Sequence, residues 1–92
     1  MFCKAGGYAG TSTANADIIP TLRTNEGIAN DGITPFSLVE VSILPDSDCY
    51  IVINGGTQIF VPSGVGYSNN RVLIKTLSIV ANGVVYKIAY NY

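Results

Sequence analysis

Apolar and polar positions alternate most regularly between Val72 and Tyr92, on either side of Asn82-Gly83. An Asn-Gly pair between alternating runs is the strongest short-range hairpin signal, because a type I′ turn needs positive φ at both central residues. With Asn82 and Gly83 as the loop, Ile79 faces Tyr86, Leu77 faces Ile88 and Lys75 faces Tyr90, and Leu73 and Tyr92 extend that face. The opposite face carries Val80 with Val85, Ser78 with Lys87 and Thr76 with Ala89. Turn register and apolar pattern agree, which predicts a β-hairpin.

A second hairpin is predicted upstream. Cys49–Ile53 and Thr57–Val61 flank Asn54-Gly55-Gly56, and a three-residue loop pairs Ile51 with Ile59, Cys49 with Val61 and Tyr50 with Phe60. Both faces of this pair carry apolar side chains, so it lies inside a core or under a partner. Phe36–Leu44 alternates at Val39, Val41 and Ile43, with Glu40 and Ser42 outward, and Pro45-Asp46-Ser47-Asp48 ends that strand as a turn. The stretches Asn25–Pro35 and Pro62–Asn70 read as loops. Asp17–Thr24 contains Pro20, which cannot donate to a ladder, so it reads as an edge strand or extended arm. Lys4–Ala16 is a Gly, Ala, Ser and Thr tract without a period, a flexible arm when alone in water. No window has a helical period, so at least five strands and little or no helix are expected. The fold class is all-β: a small antiparallel β-sandwich or barrel (residues 25–92) preceded by an extended N-terminal arm (residues 1–24).

Ninety-two residues fit one domain with a modest core. Hydrophobic residues make up 48% of the chain and charged residues 12%, about half the usual globular share of charge. A small domain cannot bury much more than its peers, so contact with a partner or with itself is the natural outlet for a neutral, apolar surface. All six acids and only two of the five bases lie in residues 1–48, while Arg71, Lys75 and Lys87 follow with no acid. Such a chain either packs unlike patches against neighbours or mixes its two halves within one fold. Five basic residues, none adjacent, cannot neutralise many phosphates, so no nucleic-acid partner is expected. No apolar run approaches a membrane span, and the Met-Phe-Cys-Lys start lacks a signal-peptide pattern. Cys3 and Cys49 could form a disulfide or remain two thiols with Cys49 partly buried.

The inventory of reactive side chains is sparse. There is no histidine, hence no imidazole base, triad or ligand, and two cysteines with scattered acids do not spell a zinc site. Asp46 and Asp48 are the closest carboxylates, but Pro-Asp-Ser-Asp is turn grammar and too few oxygens for calcium. Neither Gly64-Val65-Gly66 nor Ala5-Gly6-Gly7 leads into the Lys-Ser/Thr helix start that a phosphate loop requires. An enzyme, a cofactor and a small-molecule ligand are not expected. Tyrosine stands out instead, since its rigid ring and hydroxyl suit interfaces and sugars; Tyr86 reads as core rim, Tyr90 and Tyr92 as interface candidates.

From Asn54 onward the chain resembles small bacteriophage virion proteins. The elements are Asn54-Gly55-Gly56-Thr57, Ile59-Phe60-Val61-Pro62, a Gly64/Gly66/Tyr67 loop, and Ile79 to Tyr86 leading to Ile88-Ala89-Tyr90-Asn91-Tyr92. In architecture it is similar to capsid decoration proteins, in which a Gly/Thr-rich arm precedes a compact β-domain. The resemblance implies a non-enzymatic cement protein on the virion's capsid surface, made in the host cytoplasm, that self-associates as a trimer and clamps neighbouring major capsid protein subunits. Residues 4–24 would then lie along the shell and add hydrogen bonds to an exposed strand edge. The candidate contacts are Lys4, Tyr8, Ile18, Ile19, Leu22, Tyr67, Tyr90 and Tyr92. On this reading, deleting residues 1–16 abolishes decoration and leaves the β-domain folded. Two alternatives stay open: a tail or head-fibre connector that contacts glycans through Tyr67, Tyr90 and Tyr92, and a small regulator that binds one host protein.

Overall fold

A computed structural model describes residues 4–29 and 31–92; Cys3, with its share of any disulfide, and Asn30 of the predicted loop lie outside the described residues. Among the described residues, seven strands and one helix follow in the order β1 (Ala5–Thr11), α1 (Ile19–Asn25), β2 (Glu40–Pro45), β3 (Cys49–Ile53), β4 (Ile59–Val61), β5 (Tyr67–Asn69), β6 (Leu77–Ile79) and β7 (Val85–Asn91). The strands form two antiparallel sheets, one ordered β1-β7-β2-β5 and the other β4-β3-β6. One hydrophobic cluster joins them: Val41, Ile43, Tyr86, Ile88 and Tyr90 from the first sheet meet Cys49, Ile51, Val61, Leu77 and Ile79 from the second. The protein is therefore the small all-β sandwich that its period-2 patterning predicts.

The β3–β4 hairpin has the expected register, with Cys49 opposite Val61, Tyr50 opposite Phe60 and Ile51 opposite Ile59. Its turn works because Asn54 and Gly55 take positive φ (52° and 70°), which asparagine and glycine tolerate best. In β2, Val41 and Ile43 are buried while Glu40, Ser42 and Leu44 face solvent, again as the alternation demands.

The Asn82-Gly83 segment departs from its prediction. β6 pairs with β3, and β7 pairs with β1 and β2, so the two strands are not hairpin partners. The apolar face was read correctly from Leu77 onward, since Leu77, Ile79, Tyr86, Ile88 and Tyr90 are all buried, whereas Leu73 and Lys75, placed on the same face, are exposed. The buried residues of the two strands look at one another across the sandwich instead of lying side by side. Gly83 has a φ of 78° but Asn82 is not among the positive-φ residues, so the type I′ turn is not formed. The Gly83 amide donates to the Ser12 carbonyl (2.8 Å), and the turn carries the chain from one sheet to the other.

The extended N-terminal arm is likewise replaced by structure that belongs to the sandwich. β1 is an edge strand paired with β7 from Ala5↔Asn91 to Thr11↔Val85. Just beyond it, buried Ser12 donates its hydroxyl to the Ala81 carbonyl (2.7 Å) and accepts the Val84 amide (2.9 Å). The chain then runs along β6, with the Asn15 amide donating to the Ile79 carbonyl and the Ile18 amide to the Leu77 carbonyl. Asp17–Thr24, predicted as an edge strand, instead leads into the seven-residue helix α1. Pro20 sits in its first turn, where a missing N–H costs nothing, and the Asp17 carboxylate accepts the Ile19 amide (3.1 Å). Ile18, Ile19 and Leu22 fall on one side of this turn and enter the core, Leu22 with no exposed surface. The described part of the arm, residues 4–24, thus belongs to the same core as the strands that follow it. The acid-rich and base-rich halves also interleave, since β7 with Lys87 lies between β1 and β2.

Candidate interaction surface

The β3–β4 hairpin gives the second sheet two unlike faces. Cys49, Ile51 and Val61 point inward, which sends Tyr50 and Phe60 outward as a directly opposed cross-strand pair. Their rings meet edge-on, with centroids 5.4 Å apart and planes at 60°, and each residue keeps about half its surface exposed (47% and 50%). β6 continues the face: the Val80 amide donates to the Tyr50 carbonyl (3.0 Å), and Val52 lies opposite Ser78. Tyr50, Val52, Phe60, Ser78 and Val80 include no acidic or basic residue. An apolar, aromatic, charge-free patch of this kind resembles the core of a protein–protein contact.

At the open side of the sandwich, where β4 and β5 are edge strands, a groove of about 490 Å³ runs between Ile53, Ile59, Tyr67 and Val72. Its two asparagines are already engaged. Asn54 Nδ2 donates to the Leu73 carbonyl and Asn54 Oδ1 accepts the Lys75 and Thr76 amides. Asn69 donates to the Tyr67 hydroxyl and accepts the Arg71 and Val72 amides. The groove therefore offers apolar contact but no free side-chain amide to orient a polar ligand.

A polar cluster closes the opposite edge. Glu26, at the C-terminal end of α1, accepts hydrogen bonds from the Tyr90 hydroxyl, the Tyr92 hydroxyl (2.9 Å) and Asn25 Nδ2 (3.1 Å). Asn25 also donates to the Gly7 carbonyl (3.0 Å) and so occupies an acceptor of β1. Gly6 leaves room for this cluster: a Cβ there would lie 2.6 Å from the Tyr90 ring. The Tyr90 hydrogen bond, reinforced by those from Tyr92 and Asn25, holds the Glu26 carboxyl below its ordinary pKa. Burial, together with the bond to Glu26, pushes the Tyr90 phenol up to about 12. A carboxyl whose folded pKa is lowered stabilises the fold above its ordinary pKa and loses that contribution as pH falls through the folded value. Tyr90→Phe keeps the ring and removes one donor. It is expected to cost about 1 kcal/mol at pH 7, the low end for a bond to a charged but solvent-reachable group. The difference from wild type should shrink as pH falls below the ordinary carboxylate range, read from urea unfolding at pH 7 and in progressively more acid buffer.

The residues singled out from sequence are scattered by the fold. Ile18, Ile19, Leu22 and Tyr90 are core residues, 6%, 6%, 0% and 2% exposed, and are not available to a partner. Tyr8 and Tyr92 are half-buried; Tyr8 leans on Tyr86 (6.3 Å) and Tyr92 on Phe36 (5.2 Å). Lys4 is exposed, and its backbone forms a reciprocal pair with Tyr92. Tyr67 lines the groove on the far side of the sheet from β1. These residues do not form one site. Tyr50 and Phe60 were the missed pair, and the signal for them was a hairpin apolar on both faces. Compared with protein-family models, with curated proteins and with solved structures, the chain matches none.

Proposed function

We propose that the protein is a non-enzymatic structural component of a phage virion, a decoration or cement protein that attaches to the capsid surface and clamps neighbouring coat subunits. The observation that carries this reading is the charge-free aromatic face of β4-β3-β6, with Tyr50 and Phe60 half exposed. It supports a role in contact between proteins, and the virion-like pattern from Asn54 to Tyr92 supplies the setting. The carboxylates support the non-catalytic part, because three of the six brace the backbone. Asp17 accepts the Ile19 and Leu77 amides, Asp31 those of Ile33 and Thr34, and Asp48 that of Ser63. The clamp itself is revised. An arm laid along the shell is replaced by a folded edge strand, and attachment falls to the sheet faces and edges. The glycan reading loses Tyr90 to the core, and the 60° angle between Tyr50 and Phe60 is not a flat platform for a sugar ring.

The test is the copy number of this chain in purified particles, quantified against the major coat protein by mass spectrometry. Near-stoichiometric copies are the expected result. A handful per particle would move the protein to the tail or a fibre, and complete absence would overturn the virion reading.

A further inference from the structure

The outer face of the three-stranded sheet is lopsided in bulk along its strands, and exposed residues of opposite charge stand at the two ends of the sheet. Phe60, Tyr50 and Val80 form one row near the Cys49 end, fixed by the Tyr50↔Phe60 pairing and the Val80–Tyr50 backbone bond. The next outward row holds the smaller Val52 and Ser78. Asp48 leads into β3 at the bulky end, where it accepts the Ser63 amide (2.8 Å). Lys75 lies at the other end, where its amide donates to Asn54 in the turn after β3 (2.8 Å). Both charged residues are exposed.

A second copy of the chain answers both gradients at once. Turned about a two-fold axis lying in the plane of the sheet and across the strands, it sets its Val52 and Ser78 over the Tyr50–Phe60 row of the first. The same rotation brings its Lys75 end over Asp48, and symmetry makes each contact twice. The other in-plane two-fold, along the strands, would stack aromatic row on aromatic row and Asp48 on Asp48, which like-charge repulsion disfavours. We infer that this face is a self-association surface on which two copies pack sheet to sheet with strands reversed, Asp48 of each beside Lys75 of the other. The contact deepens the shell-component reading, on which it rests for the crowding of copies, and it closes at two where the resemblance implies three. Three short strands offer well under the ~800 Å² per partner of a standard interface, so the dimer should be weak in dilute solution and fill on a crowded shell.

Sedimentation equilibrium from about 10 μM to about 1 mM covers the affinity range in question. The wild type should shift from monomer to dimer across it. Asp48→Lys and Lys75→Asp should each weaken dimerisation by about tenfold or more, and Phe60→Ser likewise. An equimolar mixture of the Asp48→Lys and Lys75→Asp proteins should associate again, because one is basic at both ends of the face and the other acidic at both. Misfolded variants could not restore one another, so the mixture separates a lost contact from a lost fold. A wild type that stays monomeric throughout, or charge variants that dimerise as it does, would overturn the proposal. A monomer still abundant on particles would remove this contact and leave the shell role; a dimer absent from particles would do the reverse.

Discussion

A chain lacking residues 1–16 is expected to show no cooperative unfolding transition at 25 °C. The deletion removes all of β1, whose seven residues pair with β7. It also removes both Ser12 side-chain bonds, the Gly83–Ser12 backbone bond and the Asn15–Ile79 bond that starts the cover over β6. At about 0.5–1.5 kcal/mol each, even the bonds beyond the ladder total several kcal/mol. A domain of this length has only about 5–14 kcal/mol of stability in all. Tyr86, Ile88 and Tyr90 would at the same time stand on an uncovered edge strand, open to pairing with another chain. Far-UV circular dichroism with a urea titration decides the matter. A truncated protein that melts cooperatively at the midpoint of the full chain would mean that the first strand is an accessory and would reinstate the arm.

Gly66→Ala is expected to cost about 3 kcal/mol or more, the larger of two instructive glycine effects. Gly66 has a φ of +76°, and a Cβ there would sit 2.5 Å from the Ile43 carbonyl oxygen and 3.4 Å from Leu44 Cδ1. That carbonyl is backbone of β2, which is paired on both sides, with β7 and with β5, so it cannot move away. Strain from positive φ and a collision with a fixed strand therefore add. Gly83→Ala is the control. Its φ is also positive (+78°), but a Cβ there meets nothing within 4 Å, so only the conformational cost of about 1 kcal/mol remains. Urea midpoints for the two variants measure the difference. Equal losses would show that the close approach of Gly66 to Ile43 is not maintained in solution.

Patterning told which side chains face the core more reliably than it told which strands are neighbours. The β3–β4 register was legible because both strands and their Asn-Gly-Gly turn lie within a few residues of each other. Leu77, Ile79, Tyr86, Ile88 and Tyr90 were legible as one face, although Tyr90 was taken for a contact residue and is buried; alternation is equally satisfied by strands that face each other across a sandwich. What decides between the two is distant: the Ser12 carbonyl takes the Gly83 amide, and β3 takes β6. Helix α1 was missed because Pro20 was weighed as a ladder breaker and not as a first-turn residue, although Ile18, Ile19 and Leu22 have the spacing of a single helical face. The contact residues were misassigned for the same reason. An apolar residue in a tract taken for an arm looks exposed, and Ile18, Ile19 and Leu22 were not recognised as the cap on the sandwich edge.

Among the described residues, β3 and β4 are the one pair joined by a tight hairpin; the connections after β2, β4, β5 and β6 each carry the chain across to the other sheet. Zippering outward from a turn can therefore build little more than that hairpin. The four-stranded sheet must bring β1 to β7, almost the two ends of the chain, and β7 back to β2 before either pairing repays the entropy of closing so long a loop. The speed at which this protein reaches its native state is thus set by how quickly distant segments find each other. During that search the partnerless β7, with its inward tyrosines and isoleucine, is the surface most exposed to misassembly with another nascent chain.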